Sequence, residues 1–276
     1  MNHEILLRKL QNYGIRGIPL KWFNSYLSNR NTFIEINSLK SEEIPINIGV
    51  PQGSILGPIL FLLYVNNIPE ISSFFRTQLF ADDTIVSTSG PDFNILKTST
   101  NTELMKLSNW TFANKLTLNA SKTEFLVFSN RHYEKNDANL NLLGNIVHSS
   151  QTCKYLGVYL DRDMSFKSHI DHVLKKVSRH TGILYKIRDD LPITARLDFY
   201  YAYIYPYLSY NIIVWGAAYD SVLQPLFLQQ KRTVRTVAGA GYRDHTDPLF
   251  RRYGTLKLID IYKLQLLSHM HKPMIA

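Results

Sequence analysis

Two adjacent aspartates, Asp82 and Asp83, set in Phe80-Ala81-Asp82-Asp83-Thr84-Ile85-Val86, are the residues best suited to chemistry. Apolar runs on both sides, 74–80 and 84–87, predict a strand pair with the acids at its turn. Neighbouring carboxylates disfavour joint ionisation unless cations balance them. Hard divalent cations prefer oxygen ligands, and magnesium commonly takes one or two carboxylates together with substrate phosphates. A pair of such ions could activate a hydroxyl and neutralise a leaving pyrophosphate. The alternative is an ordinary exposed turn, where Asp is common. A metal centre also wants a third carboxylate, and no strong candidate is visible: Glu35, Glu42 and Glu43 surround a separate hairpin and Glu70 lies on a loop.

The second feature is Gly49-Val50-Pro51-Gln52-Gly53-Ser54-Ile55-Leu56-Gly57-Pro58. It has neither P-loop nor dinucleotide-fingerprint spacing. Glycines and prolines at this density specify a rigid path that can approach a ligand closely. Gln52 and Ser54 offer hydrogen bonds beside it, and the helix expected downstream would favour a phosphate at its start. A structural turn is the alternative. Asn119, Lys122 and Thr123 form a smaller polar cluster in which Lys122 could contact a triphosphate or protonate departing pyrophosphate; a plain surface lysine is the competing reading. Trp22, Tyr26 and Trp110 could stack on bases, but their helical spacing better fits core packing. The nine histidines form no ligand array: His169 and His172 lack a cysteine or carboxylate partner at zinc spacing.

The elements that must position these groups can be read from apolar periodicity and breaker residues. Helices are expected over 3–14 and from Pro19, then strands at 32–36 and 44–48 forming a hairpin, then an apolar helix over 59–66 behind the glycine loop. After the acidic hairpin come a helix over 93–114, strands at 116–118 and 125–128, and short strands near 140–143, 146–148 and 155–160. From residue 165 the pattern turns helical: 167–187, 193–204, 207–218, 221–238 and 256–269. The chain is thus α+β, with a boundary expected near 161–166.

Lys plus Arg number 31 against 22 Asp plus Glu over 276 residues, a balance of +9 that favours polyanionic partners. The charge is uneven: residues 1–128 carry 11 basic and 10 acidic side chains, residues 129–276 carry 20 and 12. Eight of the basic ones fall within 231–263, among them Lys231, Arg232, Arg235, Arg251 and Arg252, so a phosphate backbone should touch this half heavily. A solvated basic face is the alternative. The single cysteine, Cys153, excludes an internal disulfide and a cysteine-based zinc cluster. Residues 199–219 carry no charge, but seven tyrosines, Pro206 and Asn211 would be costly in lipid. A buried helix pair broken near Pro206 is expected instead, in a soluble intracellular chain, nuclear or cytoplasmic, without a membrane partner.

Together these pieces resemble the reverse transcriptase domain of non-LTR, LINE-like retrotransposons of the jockey type. The resemblance rests on Trp22-Phe23-Asn24-Ser25-Tyr26-Leu27-Ser28-Asn29-Arg30, the 49–58 loop, Phe80-Ala81-Asp82-Asp83-Thr84, Leu118-Asn119-Ala120-Ser121-Lys122-Thr123 and Lys154-Tyr155-Leu156-Gly157-Val158, in that order. It implies a right-hand polymerase: partial fingers and palm over 1–164, then a helical thumb-like and C-terminal region over 165–276. It further implies RNA-directed DNA polymerase activity, with an RNA template, a DNA primer and deoxynucleotides as partners. Asp82 and Asp83 would hold two Mg2+ ions, with Mn2+ as the substitute, and Lys122 would lie near the nucleotide phosphates. Pro51, Gln52, Gly53 and Ser54 would line the nucleotide and template pocket, Tyr155, Leu156 and Gly157 would form the primer grip, and residues 167–263 would cradle the duplex.

Two departures bear on activity. Relatives carry an aspartate-bearing strand just before the segment resembling residues 2–7, and here Met1 stands after it; Asn67 also stands where relatives usually carry aspartate. Slower polymerisation than by an upstream-extended chain is therefore expected, and equal primer-extension rates would exclude it. A non-catalytic nucleic-acid-binding remnant of the same domain is the alternative function.

Overall fold

The computed structural model describes residues 1–51, 53–129 and 138–271, and these form two compact units. The first holds residues 1–124 and 138–148, the second 125–129 and 149–271. Both mix or join short hairpins with helices, an α+β arrangement in which every sheet among the described residues has two strands.

In the first unit, Asn2 starts helix α1 (His3–Asn12) by accepting the Ile5 amide at 3.1 Å, and Leu6 and Leu10 supply its buried stripe. Gly17, at φ 64, and Pro19 set the start of α2 (Ile18–Leu27). A nested hairpin follows: β1 (Asn31–Thr32) pairs with β4 (Ile44–Pro45) around β2 (Glu35–Ile36) and β3 (Leu39–Lys40). Helix α3 (Leu56–Val65) is apolar nearly throughout, and its Tyr64 is fully buried, accepting from the Asn2 amide and donating to the Asn114 carbonyl. Strands β5 (Arg76–Phe80) and β6 (Asp83–Ser87) pair antiparallel. The Asp92 carboxylate then caps α4 (Phe93–Ala113), and β7 (Asn139–Leu142) with β8 (Asn145–His148) closes the unit. One core gathers Leu6, Leu10, Leu27, Leu60, Tyr64, Leu104 and Leu107.

The second unit opens with the hairpin β9 (Thr152–Tyr155) and β10 (Val158–Asp161), packed on α5 (Lys167–Ile187). Helices α6 (Ile193–Tyr203), α7 (Tyr205–Ser209), α8 (Ile212–Trp215), α9 (Asp220–Ala238), α10 (Asp247–Arg252) and α11 (Leu258–His271) follow. Ile170, Val177, Leu184, Tyr200, Trp215 and Leu226 anchor the core. Several polar groups inside it are paired. Thr181 and Thr233 join α5 to α9 through a 2.7 Å hydroxyl contact. Gln230, wholly buried, donates to Tyr200 Oη and the Leu256 carbonyl and accepts from the Leu258 amide. Such pairing removes the cost of burying amides.

Three expectations need correction. Residues 116–118 and 125–128 are not strands; only Phe125 forms a bridge, to Ser149, because no neighbouring strand offers a ladder. The helix expected over 207–218 is two short ones, α7 and α8, separated by extended Tyr210 and left-handed Asn211 (φ 49). Trp22 lies outside the core and is 54% exposed. None of the described helices is long and apolar enough to cross a membrane.

Candidate functional site

The acidic pair sits at the tip of the β5–β6 hairpin. Phe80 pairs with Asp83, so the loop has two residues, Ala81 and Asp82. Ala81 takes φ 51, the positive value that a tight hairpin asks of its first loop position and that a Cβ makes costly. Leu79 and Val86 hold the hairpin to the core from one face, while Asp82 and Asp83 are exposed. Among the described residues neither carboxylate has an ion-pair or hydrogen-bond partner, and no three His, Cys, Asp or Glu side chains converge.

The glycine loop is fastened to the same core through Val50 and Leu56. Its start is tied to the first helix: the Gly49 amide donates to the Met1 carbonyl at 2.7 Å, and His3 Nε2 lies 2.8 Å from the Gly49 carbonyl. Gly49 (φ 87) and Gly53 (φ 80) adopt backbone that a side chain would strain. The Ser54 hydroxyl is used within the loop, donating to the Pro51 carbonyl at 2.8 Å and accepting the Gly57 amide at 3.1 Å. It therefore stiffens the entry to α3. Gln52 lies outside the described residues.

Lys122 is exposed at the end of a 3-10 turn (Ala120–Lys122), where Asn119 Oδ1 accepts both the Lys122 amide and the Ser121 hydroxyl. In the second unit, Tyr155-Leu156-Gly157-Val158 is a two-residue turn with both central residues at positive φ, 43 and 82, the type I′ pattern of twisted hairpins. Tyr210 braces it. Its hydroxyl donates to the Leu156 carbonyl at 2.7 Å, and its ring would stand 3.1 Å from a Cβ on Gly157. Lys231, Arg232 and Arg235 line α9 at helical spacing; Lys231 lies over the Phe227 ring and Arg235 Nε donates to the Asp244 carbonyl. Arg251 and Arg252 are exposed at the end of α10, with Arg252 over Tyr253.

Some contributors escape a reading of local pattern. Lys9 Nζ sits between the rings of Tyr64 and Trp110, at 4.9 and 4.7 Å, and donates to the Tyr64 carbonyl and to Asn67 Oδ1. Burial lowers its pKa to about 8. It fixes α1 to α3 and so holds the floor beneath the loop. Only its position four residues before Tyr13 and one before Leu10 was visible in the sequence, which says nothing of a partner at 67.

The reverse transcriptase (RNA-dependent DNA polymerase) family matches residues 1–160, more than half of the chain, and the chain belongs to that family. It is 29% identical over 252 residues to the RNA-directed DNA polymerase from mobile element jockey of Drosophila melanogaster, an alignment covering 87% of this chain and 27% of that protein. It is 27% identical over 256 residues to the probable RNA-directed DNA polymerase from transposon X-element of the same fly, covering 89% and 28%. The jockey polymerase of Drosophila funebris is 26% identical, over 78% of this chain and 24% of its own length. The chain thus spans about a quarter of the length of the curated relatives it matches. The chain is therefore related to the reverse transcriptases of non-LTR retrotransposons of the jockey type.

Proposed function

We propose that this chain carries part of the nucleotidyl-transfer centre of a non-LTR retrotransposon polymerase that copies RNA into DNA. The observation that supports it most is the Asp82-Asp83 tip, unpaired and exposed, on a hairpin that shares its core with the glycine loop, in a chain of the reverse transcriptase family. In this reading residues 1–164 are palm with partial fingers, and residues 165–276 are a helical thumb-like and C-terminal region.

The donor set suits a hard cation: two adjacent carboxylates leave room for substrate phosphates. Asp82 and Asp83 are the residues that would hold Mg2+, which when bound supplies Lewis acidity for the attacking hydroxyl and the departing pyrophosphate. The primer 3′-hydroxyl forms a bond to the α-phosphorus of a deoxynucleotide as the bond to pyrophosphate breaks. Lys122 is the proton donor to that leaving group. Pro51, Gln52, Gly53 and the Ser54-stiffened backbone shape the nucleotide and template pocket. Tyr155, Leu156 and Gly157, held by Tyr210, grip the primer, and Lys231, Arg232, Arg235, Arg251 and Arg252 contact phosphates.

Primer extension on an RNA template with Mg2+ tests this. Asp83→Asn should lower the rate by about 100-fold or more, in the range seen when a charge-stabilising group is removed, with thermal unfolding unchanged because the side chain is exposed. Equal rates for Asp83→Asn, Asp82→Asn and the parent chain would refute it.

A further inference from the structure

Helix α4 has a second stripe besides the one that faces the core. Thr100, Leu104, Leu107 and Thr111 are buried and hold the helix to the first unit. On the opposite side Ile95, Thr98, Thr102, Met105, Asn109 and Phe112 are all exposed. Steps of three and four residues alternate along them, the spacing of a coiled-coil seam sustained over most of a 21-residue helix. Ile95, Met105 and Phe112 are 70%, 65% and 84% exposed, whereas the outer face of a solvated helix is ordinarily charged. The helix carries three charged residues, Lys97, Glu103 and Lys106, and none of them lies on this stripe. Glu103 and Lys106 neutralise each other at 2.6 Å.

The polar members of the stripe are suited to losing water. The Thr98 hydroxyl donates to the Asn94 carbonyl at 3.0 Å, and the Thr102 hydroxyl donates to the Thr98 carbonyl at 3.2 Å. Both donors are satisfied inside the helix, so covering them strands neither, and each oxygen can still accept.

The stripe is also complementary to itself. In an antiparallel pair, alternate seam positions of one helix face the other kind on its mate. With the two-fold axis between Glu103 and Leu104, Ile95 faces Phe112, Thr98 faces Asn109, and Thr102 faces Met105, each layer occurring twice. Apolar side chains then meet at the ends, and the Asn109 amide can donate to the Thr98 oxygen. The same register sets Asp92, at the start of α4, opposite Lys115, just past its end, both of them exposed. Lys106 falls opposite Asn101. Opposite charges therefore meet at both ends and like charges nowhere, whereas a parallel pair would set Asp92 beside Asp92. Antiparallel packing also opposes the two helix dipoles.

We propose that the outer stripe of α4 is a homodimer interface, occupied by the same stripe of a second copy running antiparallel. It uses none of the side chains assigned to nucleotidyl transfer, and a chain that never extends a primer would still pair. Two helices of about 32 Å make a contact at the small end of the range for specific complexes, so the dimer should form reversibly at micromolar concentrations.

Sedimentation velocity of the full chain between about 1 and 200 µM should show the monomer giving way to a dimer. Met105→Glu sets a carboxylate near the axis, one layer from its counterpart, and should weaken pairing by about 100-fold or more. Phe112→Ala should weaken it by roughly 10-fold or more. Both side chains are exposed, so the circular dichroism and thermal unfolding of the dilute monomer should not change. Orientation is read by oxidation, with Cys153→Ser in every chain. An equal mixture of Thr98→Cys and Asn109→Cys chains should yield a disulfide-linked mixed dimer, and Asn109→Cys alone should not. A chain that stays monomeric across the concentration range overturns the proposal. A dimer that survives Met105→Glu does so too, by placing the contact on another face. Asn109→Cys cross-linking to itself would overturn the antiparallel arrangement.

Discussion

His169 makes the second unit sensitive to acid in a way that can be worked out in advance. The residue sits on the buried face of α5 at 3% exposure, with its ring 5.3 Å from that of Trp215 on α8. Its Nδ1 accepts the Tyr159 amide of β10 at 3.5 Å, which requires an unprotonated nitrogen there. Nε2 is buried without a partner among the described residues. His172 acts on it directly, and Lys176, Lys154 and Lys175 act in turn on His172. Burial first, and His172 second, push its pKa from 6.5 down to about 4. Between those values the unfolded chain binds a proton that the folded unit refuses. Stability is therefore full above pH 6.5 and falls as pH drops toward 4, by about 3 kcal/mol at 1.36 kcal/mol per pH unit. Other groups titrate over the same window, so the measurement compares the parent with His169→Leu, both carrying Trp22→Phe and Trp110→Phe so that Trp215 alone reports. Urea unfolding at pH 7, 5.5 and 4.5 should show the parent losing stability relative to the leucine variant on acidification. Parallel curves, or a His169 proton resonance titrating near 6.5, would refute the reasoning.

Two further tests follow from contacts distant in sequence. Gly157→Ala places a Cβ 3.1 Å from the Tyr210 ring at a residue with φ 82, so unfolding in urea should show a loss of about 1–2 kcal/mol; an unchanged midpoint would mean that Tyr210 does not brace the turn. Asn67→Asp sets a carboxylate where the amide oxygen now lies 2.9 Å from Lys9 Nζ. In the parent, the folded Lys9 pKa of about 8 lies below its ordinary 10.5, so the unfolded state holds more protons across that interval and stability rises as pH rises through it. The aspartate raises the Lys9 pKa and flattens that rise, which thermal unfolding at pH 8 and pH 10 would detect as converging curves; identical gradients would exclude the coupling.

What was legible in the sequence divides along a physical line. Where a pattern carries its own consequence, the reading holds: α5 spans 167–187 because apolar residues recur every three to four positions, and the 76–87 hairpin forms because alternating strands flank a two-residue turn. Where the outcome depends on a partner elsewhere, it does not. Residues 116–118 and 125–128 have strand composition, but a strand exists only by its neighbour, and Phe125 finds a single bridge. The expected helix over 207–218 breaks at Tyr210, whose side chain is drawn to Leu156 and Gly157 more than fifty residues earlier. Helical spacing correctly put Trp22 and Tyr26 on one face, yet it cannot say which face a core will cover. Leu27 buries the other stripe, and the tryptophan is left outside. The same logic bears on the acidic pair. Local pattern placed Asp82 and Asp83 at a turn, and the fold adds that the turn's own strands, through Leu79 and Val86, share a core with Val50 and Leu56 of the glycine loop. Two segments thirty residues apart are therefore held by one packed interior, so a core substitution such as Leu60→Ala disturbs both together, whereas exposed changes at either can be read separately.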